Sequence, residues 1–156
     1  MKKRIYFLFV ALLLLVPIFA AARRVQAVLG ESVDSVESDA KALSGVKGAT
    51  TTRNGYTVHQ VDSDSAIVRE YVSASGVIFA VSWNGLVHPD LTQLLGSYAG
   101  EYKRGLEQTS REPDRRRLRV KTNEVVVEKW GHMRNLQGRA YVPALIPPGV
   151  STDEIR

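Results

Sequence analysis

A stripe of apolar residues that follows Asp90 restricts the fold of this chain more than any other feature of its sequence. The stripe consists of Leu91, Leu94, Leu95, Tyr98, Ala99, Tyr102 and Leu106. Spacings of one, three and four place these side chains on one face of an α-helix, and Asp90 suits the N-cap position. We therefore predict a long amphipathic helix over residues 91–108. Its three glycines each cost up to about 1 kcal/mol relative to alanine, so the helix needs a sheet to pack against. Gly96 and Gly100 would allow the helix to approach that sheet closely.

Three strand-like runs precede the predicted helix and are separated by short, turn-rich connections. They are Tyr56–Asp62, Ala66–Ser73 and Val77–Trp83. Connections this short predict an antiparallel meander. The third run is apolar on both faces, which is typical of a central strand covered on both sides. We expect Leu94, Leu95 and Tyr98 of the helix to face the sheet at Val77, Phe79 and Val81.

The rest of the chain carries weaker patterns. Two further strands, Leu118–Thr122 and Glu124–Trp130, follow the predicted helix with a turn between them. A short amphipathic helix is predicted at Ser32–Leu43, because its apolar residues again recur at spacings of three and four. The Gly- and Thr-rich stretch Gly45–Gly55 has the composition of a loop. Residues 131–156 contain three prolines and are expected to be partly extended and partly irregular.

Together these elements predict one α+β domain over residues 28–156. Its antiparallel sheet has about five strands, arranged as a meander of three, then the long helix, then two more. The long amphipathic helix packs on the sheet, and a short helix precedes the first strand.

The N-terminal segment has the features of an export signal. Three basic residues precede an uncharged run of 18 residues, Ile5–Ala22, and Val25-Gln26-Ala27 offers small or tolerated residues at a cleavage site. We expect residues 1–27 to be a signal peptide that directs the domain to the periplasm or the medium. Cleavage after Ala22 is an alternative. An uncleaved anchor in the inner membrane is another, since 18 residues is the short end of a membrane-spanning helix.

Charge and composition exclude several classes of function. The chain has a formal net charge of +5, but residues 1–27 hold five basic residues and no acidic ones, so residues 28–156 have 16 of each. A neutral body argues against a nucleic-acid partner. There is no cysteine, and the three histidines show no paired-ligand spacing, so we expect no metal site. No phosphate loop or dinucleotide fingerprint is present, and we expect no cofactor.

Arg115, Arg116 and Arg117 form the one dense basic cluster of the predicted domain. Pro113 and Asp114 precede them and favour a loop, from which all three could reach an anionic surface. The alternative is a solvated loop before an edge strand, where charge discourages aggregation between sheets.

Other candidates lie within or next to the predicted strands. Arg69 and Glu70 are adjacent in a strand and therefore point to opposite faces, where each could pair across the sheet or face a cleft. Trp83 ends its strand, so we expect it to be partly buried and to line a shallow pocket. His132 is the candidate general base of an enzymatic alternative.

Three segments of the chain resemble a known family. VREYVSASGVIFAVSWNG, HPDLTQLLGSYAGEY and GHMRNLQGRAYVPALIPPGV look like a family of short, exported proteobacterial proteins that is catalogued only as a domain of unknown function. The resemblance covers about residues 28–156. It implies a signal peptide and one compact domain, and it implies no activity. It also draws attention to Arg134, Arg139 and Tyr141 as candidate pocket residues.

Our main functional expectation is an exported, non-enzymatic module that binds an anionic lipid or polysaccharide of the envelope, or a protein. A first alternative is a small hydrolase or transferase that uses His132 as a base beside Glu70, with Arg69, Arg134 or Arg139 binding an anion. A second alternative is a structural envelope protein that assembles with copies of itself.

Overall fold

The computed structural model describes residues 29–33, 44–109 and 117–156. The strands are β1 Val46–Arg53, β2 Tyr56–Asp62, β3 Ala66–Ser73, β4 Ile78–Gly85, β5 Arg117–Lys121, β6 Val126–His132 and β7 Asn135–Tyr141. The helical stretch between β4 and β5 comprises α1 Leu91–Leu95, a 3₁₀ turn Gly96–Tyr98 and α2 Ala99–Gln108. Two further 3₁₀ turns, Pro143–Leu145 and Thr152–Glu154, follow β7.

All the described strands belong to one antiparallel sheet with the order β1-β2-β3-β4-β7-β6-β5. The predicted meander is confirmed as β2-β3-β4, and the predicted pair of later strands is confirmed as the β5–β6 hairpin. Strand β4 is in the middle of the sheet, and its residues 78–83 are buried, as its apolar sequence predicts. The protein is thus a small single domain of the α+β class.

The described sheet has seven strands, so the prediction of about five is wrong. The segment Gly45–Gly55 was predicted to be a loop, but it forms β1 and the tight turn into β2. This strand is almost wholly exposed, so its sequence lacks the apolar alternation of a half-buried strand. The seventh strand is β7, which lies within the segment for which only partly extended structure was expected.

The helical stretch is interrupted at Gly96. Asp90 caps α1 as predicted, because its carboxylate accepts a hydrogen bond of 2.8 Å from the backbone N–H of Thr92. Gly96 has φ +48 and ψ −115, values that end α1 and that a residue with a Cβ rarely adopts. The predicted single helix over residues 91–108 is therefore two α-helices joined by a 3₁₀ turn.

The two faces of the sheet carry separate apolar cores. On the helix face, Leu94 and Leu95 are fully buried with Val81, and Tyr98 packs at the margin, as predicted. Phe79 was expected on this face, but it lies in the second core. That core is on the opposite face, where residues 145–155 of the C-terminal segment cover it. The second core consists of Tyr56, Tyr71, Phe79, Ala80, Val126, Tyr141 and Ile155.

Two predictions lie outside the described residues. They are the signal peptide at residues 1–27 and most of the short helix at Ser32–Leu43. Only residues 32 and 33 of the latter are described, and Ser32 forms a β-bridge to Val77. Within the described ranges, no helix is both long and apolar enough to cross a membrane.

Candidate functional site

The sheet face opposite the helices carries a row of polar side chains that crosses six strands. We call these residues the polar row: Gln60, Arg69, Ser82, Arg139, Glu128 and Arg119. Each is directly opposite the next in the strand register, from β2 to β5. Directly opposite residues point to the same face, so the row places three arginines in a line.

Glu128 is shared by the last two arginines of the row. Arg139 Nε donates to Glu128 Oε2 at 2.6 Å, and Arg119 Nε is 3.0 Å from Glu128 Oε1. The side chains of Arg139 and Glu128 are 20% and 15% exposed, whereas that of Arg119 is 62% exposed. The Glu128–Arg139 pair is therefore the better shielded from solvent, and it carries more of the interaction.

The C-terminal segment crosses the polar row between Arg69 and Arg139. The Tyr71 hydroxyl donates to the main-chain oxygen of Arg156 at 2.7 Å and accepts from its N–H at 2.8 Å. Arg139 Nη1 donates to the carbonyl oxygen of Thr152 at 2.6 Å, and Ile155 is buried in the second core. These contacts fix the segment over the middle of the sheet and leave a pocket on each side of it.

The first pocket, which we call the Arg69 pocket, lies over β1–β3 and has a volume of about 610 Å³. Three guanidinium groups, those of Arg53, Arg69 and Arg156, line it with one side-chain carboxylate, that of Glu154. Arg69 is half-buried, and among the described residues its guanidinium has no hydrogen-bond or ion-pair partner. The pocket thus has a surplus of positive charge around a cation with free donors.

Glu154 is occupied by other contacts. It accepts hydrogen bonds from the backbone N–H of Ser151 at 2.9 Å and from the Tyr56 hydroxyl at 3.0 Å. These two bonds, with the charge of Arg53, lower the pKa of Glu154. Burial and the bond to Glu154 raise the pKa of Tyr56, so the phenol stays protonated and donates. Glu154 therefore holds the C-terminal segment in place.

The second pocket, the Trp130 pocket, lies on the other side of the segment and has a volume of about 620 Å³. Arg117, Arg119 and Arg139 line it together with Trp130. The Arg139 guanidinium is 6.0 Å from the ring centroids of both Trp130 and Tyr141, within cation–π range. Because Glu128 already binds two of these arginines, the guanidinium donors of this pocket are less available to a ligand than those of Arg69.

The structure brings several predicted site residues to this one face. Arg69 and Arg139 are both in the polar row, Arg117 lines the Trp130 pocket, and Tyr141 belongs to the second core. Arg134 is exposed in the turn between β6 and β7, with φ +64. Arg115 and Arg116 lie outside the described residues.

Trp83 is not a pocket residue of this face. It is 2% exposed in the core under the helices, so the prediction of partial burial is wrong. Its ring packs against Gly138 of β7, where a Cβ would come within 2.2 Å of Trp83 Cζ2. Its Nε1 donates to His88 Nδ1 at 2.9 Å.

The structure does not bring His132 and Glu70 together. Glu70 is 1% exposed and lies between Val68 and Val72 at a spacing of two, so it points to the same face as these two valines, which is the face that packs against the helices. His132 is exposed at the end of β6, which is three strand positions from β3 and therefore about 14 Å away across the sheet. The arrangement of a base, a carboxylate and an anion-binding arginine that the enzymatic alternative requires is not formed by these residues. In the described part of the chain, no cluster of three His, Cys, Asp or Glu side chains could hold a metal ion.

Three residues of this face were not predicted from the sequence: Arg53, Glu128 and Arg156. Arg53 precedes Asn54-Gly55, which is a strong signal for a β-hairpin turn and could have revealed β1. Gly55 has φ +86, a backbone conformation that glycine adopts readily and other residues rarely do. No local signal could have placed Arg156, because its contacts are with a residue 85 positions earlier.

Comparison with known proteins identifies a family and no function. A family model described as "Protein of unknown function (DUF2844)" matches residues 25–155, which is most of the chain. No curated protein and no solved structure matches it. Since the matched region includes the whole described sheet and the C-terminal segment, this chain belongs to the DUF2844 family.

Proposed function

We propose that this protein is an exported, non-enzymatic binding module that takes an anionic group of an envelope component in the Arg69 pocket. The observation that carries the proposal is the half-buried guanidinium of Arg69, which has no partner among the described residues and stands beside two more arginines. The shared chemistry of the ligand is a carboxylate or a phosphate.

A guanidinium presents paired N–H donors whose geometry matches two oxygens of a carboxylate or phosphate. Arg69 is held on the central part of β3, so its donors are positioned by the sheet, and strands hold a site more rigidly than loops do. Arg53 and Arg156 add positive charge at the rim of the same pocket. An incoming anion therefore finds one fixed pair of donors and a favourable field around it.

The lining of the pocket favours binding over catalysis. Its side chains include no histidine, serine or cysteine, and its one side-chain carboxylate, that of Glu154, accepts hydrogen bonds from Tyr56 and Ser151. Of its two hydroxyl groups, that of Tyr71 is bonded to Arg156, and that of Thr51 has no neighbouring base in the lining. A nucleophile or general base needs a titratable group that can reach the substrate. The residues present supply hydrogen-bond donors and positive charge, which recognise an anion without transforming it.

Calorimetric titration of the protein with a uronic-acid oligosaccharide and with inorganic phosphate tests this proposal. We expect binding of at least one of the two, and their comparison shows whether the source is an acidic sugar or a phosphate group. Arg69→Gln should weaken binding by at least about tenfold, since a hydrogen bond to a charged group contributes roughly 1.5–3 kcal/mol. Arg69→Lys keeps the charge but loses the paired donors, so we expect an intermediate affinity.

Arg104→Gln is the matched control. Arg104 is exposed on α2, on the opposite side of the sheet, and its ion pair is with Glu101. This variant should bind as the unaltered protein does. Binding of neither anion, or equal binding by Arg69→Gln and Arg104→Gln, would overturn the proposal.

The export part of the proposal rests on residues 1–27. A basic start, an apolar run of 18 residues and Val25-Gln26-Ala27 follow one another in the order that signal peptidase recognition requires. Mass spectrometry of the protein from fractionated cells should find it outside the cytoplasm with Val28 as its first residue. An intact Met1 on cytosolic protein would contradict export.

A further inference from the structure

The Trp130 pocket contains a tryptophan ring that is held in position and only partly buried. Trp130 is on β6, two residues after Glu128, so both side chains point to the face of the sheet that carries the polar row. Its Nε1 donates to Gln137 Oε1 at 3.2 Å, and Gln137 Nε2 donates in turn to Asn135 Oδ1 at 3.0 Å. Because these bonds hold the indole, its exposed part is a rigid apolar surface within the pocket.

Two unpaired polar side chains stand beside this ring. Arg117 of β5 is directly opposite Trp130 in the strand register, and Asp153 of the C-terminal segment lines the same pocket. Both are exposed, and within the described ranges neither the Arg117 guanidinium nor the Asp153 carboxylate has a hydrogen-bond or ion-pair partner. The pocket therefore offers a ligand one apolar surface, one set of free donors and one free acceptor.

This combination matches a sugar ring better than it matches the other groups of an anionic envelope component. A pyranose has apolar C–H groups on its faces, which pack on an aromatic ring, and hydroxyl groups at its edge, which both donate and accept hydrogen bonds. Arg117 can donate to one such hydroxyl, and Asp153 can accept from another. A phosphate group has no apolar face and would meet the negative charge of Asp153, whereas an acyl chain would leave both polar side chains without partners.

We infer that the Trp130 pocket binds a sugar ring, and that the ligand of this protein is an acidic oligosaccharide. The inference rests on the proposed function and narrows its ligand: Arg69 holds an acidic group, and another unit of the same chain packs on Trp130. Both pockets are on the same face of the sheet and adjoin at Arg156, which lines each of them. Strands β3 and β6 are three positions apart, which is about 14 Å, so the ligand must have several sugar units.

Calorimetric titration with a linear tetramer of galacturonic acid, with its monomer and with inorganic phosphate tests the inference. Because only the tetramer reaches both pockets, we expect it to bind at least about tenfold more tightly than the monomer. Trp130→Ala should reduce this advantage to about twofold or less, and Trp130→Phe, which keeps a ring, should be intermediate. The affinity for phosphate should be the same in both variants as in the unaltered protein. Tyr98→Ala is the matched control, since it removes a partly buried ring from the helix face.

Tryptophan fluorescence gives a second measurement that requires no substitution. The chain has two tryptophans, and Trp83 is 2% exposed, so quenching of the emission by acrylamide reports mainly on Trp130. The tetramer should lower this quenching at least about twofold, because a bound ring covers the exposed part of the indole. Phosphate should leave the quenching unchanged.

Three results would contradict the inference: the tetramer does not bind, its advantage over the monomer persists in Trp130→Ala, or it leaves the quenching unchanged. The proposed function is judged separately, since it requires only anion binding that depends on Arg69. Binding of phosphate that is lost in Arg69→Gln would uphold the proposed function in each of the three cases.

Discussion

The hydrogen bond between Trp83 and His88 fixes the protonation state of a histidine near the core. Trp83 Nε1 can only donate, so His88 Nδ1 must be an acceptor, and the imidazole must be neutral. Burial, and then the positive charge of Lys129, lower the pKa of His88 below its ordinary value of 6.5. Protonation would remove the acceptor and leave the buried indole N–H without its partner.

This bond predicts a loss of stability in mild acid. Because the pKa of His88 is lower in the folded than in the unfolded protein, its contribution to stability is complete above about pH 6.5 and is lost as the pH falls through the folded value. We expect the urea midpoint to fall between pH 7.5 and 5.5. In His88→Gln, whose amide oxygen can accept from Trp83 at any pH, the fall should be smaller.

Burial and the charge of Lys47 also lower the pKa of His59. His59 therefore adds to the fall of the urea midpoint as the pH decreases. The quantity to compare is therefore the change of the urea midpoint with pH, in the unaltered protein and in His88→Gln. The same change in His59→Gln serves as the control. Identical slopes in the unaltered protein and His88→Gln would show that His88 does not titrate as the geometry requires.

At the residue scale, the sequence predicted several of the polar strand residues that belong to the site, but it did not predict on which face of the sheet each would lie. Arg69 and Arg139 stand out because they interrupt strand-like segments, and both are in the polar row. Trp83 was misjudged because its position at the end of a predicted strand suggested solvent, whereas β4 continues to Gly85. Gly138 opposite it provides the space for the indole, and no local pattern reveals such a partner.

At the scale of elements, the glycines of α2 have different roles from those that the sequence suggested. Gly100 was expected to allow close approach to the sheet, but a Cβ there would meet nothing within 4 Å. Gly105 is the residue at close approach, since its Cβ would be 2.7 Å from both Thr122 Cγ2 and Val120 Cγ1. The helix thus contacts β5 near its C-terminal end.

Alanine substitutions at these two glycines should have opposite effects. Gly100→Ala should raise the free energy of unfolding by about 0.5–1 kcal/mol, because alanine loses less backbone entropy in a helix and the site is open. In Gly105→Ala the same gain is opposed by overpacking against β5, which typically costs about 1–3 kcal/mol, so we expect a net loss. Urea denaturation of both variants measures the difference. A gain at both sites would mean that α2 does not contact β5 as described.

The elements that the sequence predicted correctly are those with at least one buried face. The strands β2–β4, β5 and β6 each carry apolar residues that a core requires, and the stripe after Asp90 does the same for the helices. Strand β1 is at the edge of the sheet, and its Thr-rich sequence satisfies backbone hydrogen bonds without burying side chains. Its existence depends on the Asn54-Gly55 turn and on pairing with β2 rather than on its own pattern.

At the scale of the whole molecule, the C-terminal segment is a third layer that links distant parts of the chain. Tyr56 contacts Glu154 across 98 positions, and Tyr71 contacts Arg156 across 85. Contacts of such long range cannot be inferred from local periodicity, which is why the polar row could be anticipated only in part and the two pockets not at all. The segment also places Arg156 at the rim of both pockets, so the candidate site depends on its docking.

This dependence predicts that stability and anion binding are coupled through the C-terminal segment. Ile155 is 1% exposed in the second core, so Ile155→Ala should cost about 2–5 kcal/mol. Tyr71→Phe removes a hydroxyl that binds both the N–H and the main-chain oxygen of Arg156, a loss of about 1–3 kcal/mol. Because both changes release the same segment, the double variant should lose less stability than the two single variants together.

The same two substitutions should also weaken anion binding in the Arg69 pocket, since Arg156 would no longer be held at its rim. Leu95→Ala is the matched control, because Leu95 is fully buried on the helix face and its truncation carries a similar cost of about 2–5 kcal/mol. The titrations are done without urea, at a temperature at which every variant is folded. Calorimetry should then show unaltered anion affinity for Leu95→Ala and reduced affinity for Ile155→Ala and Tyr71→Phe. If all three variants bound equally well, Arg156 would have no part in the site, and the anion would be held from the β1–β3 side of the pocket alone.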